Sequence, residues 1–172
     1  MSNELILAIS GNDIFSGGGL HADLATYTTN KQHGFVAVTC LTAMTEHGFE
    51  VIPVDPTTFA QQLNSLKDVP FSAIKLGLLP NVEVADLALD YVKDHADIPV
   101  VLDPVLVCKE THDVEVSALR DELIKFFPSV TIITPNLPEA EILTQSKIQS
   151  LDEMKEAARK LHELGAANVV VK

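Results

Sequence analysis

Short apolar runs rich in Val and Ile alternate along the chain with longer stretches of helical period. The runs at residues 5–10, 35–40, 73–77, 100–104, 130–134 and 168–172 lack polar alternation, which is the pattern of strands buried on both faces. Helices are predicted between them at about 18–31, 56–67, 81–95, 115–126, 137–144 and 151–164. Asp55-Pro56-Thr57 and Ser150-Leu151-Asp152-Glu153 are good helix starts, and Gly165 stands where a helix should stop. In the last helix Leu151, Met154, Ala158, Leu161 and Leu164 share a face opposite Glu153, Lys155, Glu156, Lys160 and Glu163. Strand and helix in regular alternation predict one α/β domain over residues 1–172, with a mostly parallel sheet, right-handed crossovers and helices on both faces.

In such sheets ligands bind beyond the carboxyl ends of the strands, so the residues that follow each strand are the first candidates for chemistry. They are Gly11-Asn12-Asp13, Thr42 with Met44, Asp103, Thr134-Pro135-Asn136 and Lys172. An acid such as Asp103 at the end of a buried run needs a partner, because an unpaired buried carboxylate is costly. A strand-end turn with Pro104 is the simpler alternative. The cluster Ser16-Gly17-Gly18-Gly19 ahead of a helix offers backbone N–H groups to a ligand. Its letters fit a dinucleotide fingerprint, but the intervening residues 11–16 and the lack of an acid ending the second strand do not, and no Walker lysine follows. Asn136-Leu137-Pro138-Glu139 has the spacing of a capping box. The same two polar residues could instead organise a hydrated magnesium ion.

Charge and composition narrow the chemistry further. Lys and Arg total 12 against 24 Asp and Glu, a formal net charge of −12, and Arg120 and Arg159 are the two arginines. No basic stripe exists for a nucleic-acid backbone or an anionic membrane, and no apolar run is long enough to span a bilayer. A small-molecule substrate and a cytoplasmic location are therefore expected. Cys40 and Cys108 suggest neither a zinc site nor a disulfide framework, and a lone thiol such as Cys108 reads first as a small buried hydrophobe. Cys40 and Met44, at the end of an apolar strand, read first as core.

Taken in order, several segments resemble the phosphomethylpyrimidine kinases of the ribokinase superfamily, which include a pyridoxal kinase branch. They are Ala8-Ile9-Ser10-Gly11-Asn12-Asp13, Gly17-Gly18-Gly19-Leu20-His21-Ala22-Asp23, Thr42-Ala43-Met44, Lys75-Leu76-Gly77-Leu78-Leu79, Leu102-Asp103-Pro104-Val105 and Ile133-Thr134-Pro135-Asn136-Leu137-Pro138-Glu139-Ala140. The resemblance implies a ribokinase-like three-layer α/β/α sandwich that uses ATP and Mg2+ to phosphorylate a ring hydroxymethyl group. It places Gly11, Asp13, Gly18, Asp23 and Met44 on the substrate side. It implies that Asp103, Asn136, Glu139 and Lys172 fall on the nucleotide and phosphate side, with Asp103 and Glu139 holding magnesium through water.

Two departures favour pyridoxal over hydroxymethylpyrimidine. Met44 stands where the pyrimidine kinases typically carry Gln, and it cannot make the same pair of hydrogen bonds. Cys108 matches the pyridoxal kinase branch, where a thiol could add reversibly to the substrate aldehyde. Ile14-Phe15, in place of small residues or Pro, and His21, in place of Gln, are further departures. The expected product is pyridoxal 5'-phosphate, in vitamin B6 salvage, and the alternative is the hydroxymethylpyrimidine kinase step of thiamine biosynthesis. Members of the family are commonly homodimers. Their catalytic base lies in a glycine-rich anion-hole segment that does not occur between Met1 and Lys172. The sequence therefore reads as the N-terminal two-thirds of such a domain, expected to be inactive alone, and a non-catalytic ligand-binding domain or degenerate kinase fragment is the alternative of another class.

Overall fold

A computed structural model describes residues 4–106 and 113–172. The elements run β1 (Leu5–Asn12), α1 (Gly19–Thr29), β2 (His33–Thr45), β3 (Gly48–Pro53), α2 (Pro56–Leu66), β4 (Ala73–Leu76), α3 (Val82–Asp94), β5 (Val100–Leu102), α4 (Asp113–Ile124), β6 (Ile132–Ile133), α5 (Leu137–Thr144) and α6 (Leu151–Glu163). Among the described residues the sheet has the order β3-β2-β1-β4-β5-β6. It is parallel except for the antiparallel pair β2 and β3. The α/β class with a mostly parallel sheet thus follows the alternation of the sequence.

Side-chain alternation along the strands separates the two faces. Leu7 and Ile9 of β1 and Ile74 and Leu76 of β4 join one large core with Phe59 of α2, Val84 of α3, Leu123 of α4, Leu143 of α5 and Leu161 of α6. Ala8, Ser10 and Lys75 alternate with these residues and point to the other face, where α1 packs on β1 and β2. No helix among the described residues is long and apolar enough to cross a membrane.

Three sequence expectations change. The second strand, predicted over 35–40, runs to Thr45 and turns through Gly48, at φ 118°, into β3. This hairpin is half exposed and mixes polar with apolar residues, so it does not resemble a buried run. The last predicted strand, 168–172, joins the sheet through a single bridge, Val169 to Ile133, extended by backbone bonds from Val170 to Ile133 and from Lys172 to Pro135. On α6, Leu151 is 66% exposed and Leu164 38%, whereas Ala157 and Leu161 are buried. The first two lie at the ends of the helix, outside its packed middle.

Candidate functional site

The carboxyl ends of β1, β2 and β4 carry the first group of polar residues. At Gly11 the register between β1 and β2 shifts, and the strands come so close that a Cβ there would lie 2.5 Å from Cys40 Sγ. Gly19 sits at φ +58°, and a side chain there would strike the carbonyl oxygen of Gly11. These two glycines fold the 12–18 loop back over the end of β1.

Within that loop Asp13 accepts hydrogen bonds from three backbone N–H groups. Phe15 donates to Oδ1 at 2.9 Å, and Gly17 and Gly18 each donate to Oδ2 at 3.1 Å. Two of the N–H groups that the glycine run was expected to offer to a ligand, those of Gly17 and Gly18, are therefore taken by a carboxylate of the chain itself. Asp13 and Gly18 shape the loop through this bond. Thr42, expected after the strand, lies within β2, where its hydroxyl donates to Asn12 O and accepts from Ile14 N, each at 3.1 Å. His21 Nε2 lies 2.7 Å from Asn12 Oδ1, which ties the first turn of α1 to the same loop.

Asp23, on α1, pairs with Lys75 Nζ of β4 at 3.0 Å. Their side chains are 14% and 23% exposed. The pair bridges the helix to the sheet beside Ser10 and Gly77: a Cβ on Gly77 would lie 3.0 Å from Lys75 Nζ and would clash with the Ser10 hydroxyl. Sequence reasoning placed Lys75 in a motif but gave it no role in the site. Its only sequence signal is a lysine inside an otherwise apolar strand.

Beside this polar rim lies an apolar cleft of about 520 Å³, lined by Val51, Pro53, Leu78, Val105, Leu106 and Leu119 among others. Val51 and Pro53 belong to β3, so the hairpin missed by the sequence reading supplies one wall. Leu78 connects the cleft to the rim, since the same Gly11 Cβ would touch its Cδ2 at 3.5 Å. Met44, 59% exposed, is near the hairpin tip and takes no part in the core, while Cys40 is fully buried. Cys108 lies outside the described residues.

The carboxyl ends of β5 and β6 hold a second group. Asp103 Oδ1 accepts from Lys172 Nζ at 2.9 Å and from Thr134 Oγ1 at 3.4 Å. At the start of α5 the capping box is complete: Glu139 N donates to Asn136 Oδ1 at 2.9 Å and Asn136 N donates to Glu139 Oε2 at 2.8 Å. Burial raises the Glu139 pKa above the ordinary carboxylate value, the Asn136 N–H lowers it, the charge of Asp103 raises it and Lys172 lowers it. Asp103, Glu139 and Lys172 therefore form one electrostatic cluster.

Both readings of Asn136 and Glu139 are compatible with this geometry. The box occupies Glu139 Oε2, and burial is the main cause of the carboxyl's raised proton affinity. Oxygen donors suit magnesium, which keeps several waters and uses one or two carboxylates together with phosphates. Asp103 and Glu139 fit that donor set, and no group of three or more metal-ligating side chains occurs among the described residues.

The raised pKa carries a stability prediction for Glu139→Gln. A group whose folded pKa is raised adds stability as pH falls through that value and is least favourable when ionised at neutral pH. Gln still accepts the Asn136 N–H. At neutral pH the variant is expected to melt at the wild-type temperature or above, an advantage that shrinks as the solution is acidified. A neutral-pH loss of about 1 kcal/mol, the usual size of a lost cap, would contradict the role assigned to burial.

Comparison with known proteins places this architecture. A family model described as phosphomethylpyrimidine kinase matches residues 13–172, and the chain belongs to that family. It is 38% identical over 180 residues to the pyridoxine kinase of Bacillus subtilis, covering 99% of this chain and 65% of that protein. It is 34% identical over 174 residues to the hydroxymethylpyrimidine/phosphomethylpyrimidine kinase of Aquifex aeolicus, covering 98% and 67%. The crystal structure of an ADP complex of Bacillus subtilis pyridoxal kinase superposes with a TM-score of 0.91 at 36% identity, covering 99% of this chain and 66% of that one. The chain spans about two thirds of the length of these relatives.

Proposed function

We propose that the protein transfers the γ-phosphoryl group of ATP to the hydroxymethyl group of pyridoxal, forming pyridoxal 5'-phosphate. Family membership supports a vitamin kinase, and relatives of both substrate types match at similar identity. The choice of pyridoxal rests on Met44, an exposed thioether that cannot offer a pyrimidine ring a paired donor and acceptor.

The residues divide the work by place. Asp23, held by Lys75, accepts a hydrogen bond from the ring or its hydroxymethyl group, and the loop fixed by Asp13 forms the floor of the substrate side. The cleft walls Leu78 and Val105 exclude water from the ring. Cys108 holds the aldehyde carbon reversibly through its thiol. Asp103, Asn136, Glu139 and Lys172 face the phosphates, with Lys172 as a point charge released from Asp103 when a phosphate takes its place. Bound magnesium would supply charge neutralisation at the phosphate oxygens. Phosphoryl transfer is mainly positioning and charge stabilisation, which suits a site of fixed side chains at the strand ends.

Met44→Gln tests the assignment with protein expressed from the complete reading frame. Two new hydrogen bonds are together worth roughly 1–3 kcal/mol, so the ratio of kcat/KM for pyridoxal to that for hydroxymethylpyrimidine should fall about 5–150-fold. An unchanged ratio would remove Met44 from substrate selection.

A further inference from the structure

We propose that Phe15, Phe49 and Met44 form an apolar clasp that takes the flat face of the acceptor ring and sets how tightly it is held. The inference deepens the reading above and rests on it.

The Phe15 and Phe49 rings stack with centroids 6.3 Å apart and planes 25° from parallel. Met44 is directly opposite Phe49 in the β2–β3 register, so both side chains leave the hairpin on the same face. Thr42 opposite Val51 and Cys40 opposite Pro53 continue that face, and Val51 and Pro53 line the apolar cleft. The clasp is thus the outer end of a wall whose inner end is the cleft.

Phe15 is 63% exposed, yet its backbone is held from several sides. Its own N–H goes to Asp13 Oδ1 at 2.9 Å, Ile14 N goes to Thr42 Oγ1 at 3.1 Å and Ser16 N goes to Asp13 O at 3.0 Å. Three bonds therefore fix a loop that presents a large ring to solvent. Aromatic pairs and a thioether favour offset contact with another π face, and a planar heteroaromatic ring supplies one. The hairpin's opposite face carries Leu41 and Ile52, 48% and 45% exposed, so a contact with a second copy would find its apolar surface there.

The test measures dissociation constants for pyridoxal, hydroxymethylpyrimidine and AMP-PCP by equilibrium dialysis, with sedimentation velocity on the same samples. Phe15→Ala and Phe49→Ala should each weaken ring binding at least tenfold and leave AMP-PCP affinity within twofold. Phe15→Leu keeps an apolar side chain without the π face and should lose ring affinity, while Phe15→Tyr should retain it. These two variants decide the matter if an alanine variant fails to fold. Ring affinity within twofold of wild type in Phe15→Leu would overturn the clasp, as would unchanged ring affinity with an altered sedimentation coefficient. Wild-type protein that binds neither ring compound would overturn the vitamin-kinase reading and the clasp with it. Wild-type binding that the variants leave intact would overturn the clasp alone.

Discussion

Replacing Lys75 with Met should lower the thermal midpoint by about 4–8 °C and weaken acceptor binding at least tenfold. The change leaves the Asp23 carboxylate, 14% exposed, without its cation. Breaking a fully buried pair costs about 3–5 kcal/mol. Residual exposure of both partners screens the charge, and roughly 2 kcal/mol is a better scale here. For a chain of this size each kcal/mol moves the midpoint by about 2–4 °C. The double change Lys75→Met with Asp23→Leu removes the stranded charge, so stability should recover while acceptor binding does not. Calorimetry and equilibrium dialysis on the single and double variants separate the two effects. Recovery of binding in the double variant would show that the ion pair serves the fold alone.

Asp103→Asn should behave in the opposite way, with a large loss of turnover and little loss of stability. The side chain of Lys172, whose ammonium pairs with the Asp103 carboxylate, is 49% exposed, and exposed or half-exposed pairs contribute at most about 1 kcal/mol. Removing one preorganised group that acts on developing charge typically slows the chemical step about 10²–10³-fold. Single-turnover phosphoryl transfer should fall by that factor with the melting temperature within a few degrees of wild type. A large drop in melting temperature with near-normal transfer would make Asp103 the strand-end turn residue that Pro104 also suggests.

Local patterns were legible in the sequence to the extent that local physics decides them. The α5 capping box follows from Asn136 and Glu139 three residues apart, and Asp55 and Ser150 cap their helices as their side chains dictate. The parallel sheet follows from apolar runs too short for helices. The hairpin was missed because Leu41-Thr42-Ala43-Met44-Thr45 mixes apolar and polar residues without a strict two-residue period, and because Glu46-His47-Gly48 is not a usual hairpin turn sequence. With it went one wall of the cleft and the position of Phe49.

The site shows the same division. Asp103 and Lys172 stand at strand ends, where sheet topology alone directs attention, and they meet at 2.9 Å although 69 residues apart. Asp23 and Lys75 are 52 residues apart, and nothing in spacing pairs a helical acid with a strand lysine before the fold brings them together. The glycine run reads as a donor surface because consecutive glycines ahead of a helix leave their N–H groups accessible, and no spacing shows that Asp13 takes two of them. Competition between a nearby carboxylate and a ligand for the same N–H groups is settled by loop geometry, which spacing does not encode.

The most direct test of the account is phosphoryl transfer from ATP by wild-type protein expressed from the complete reading frame, with pyridoxal and hydroxymethylpyrimidine compared in one assay. The account predicts transfer to both classes of ring alcohol to be unequal, with the higher kcat/KM on pyridoxal. Equal or better use of hydroxymethylpyrimidine, or transfer to neither, would contradict it.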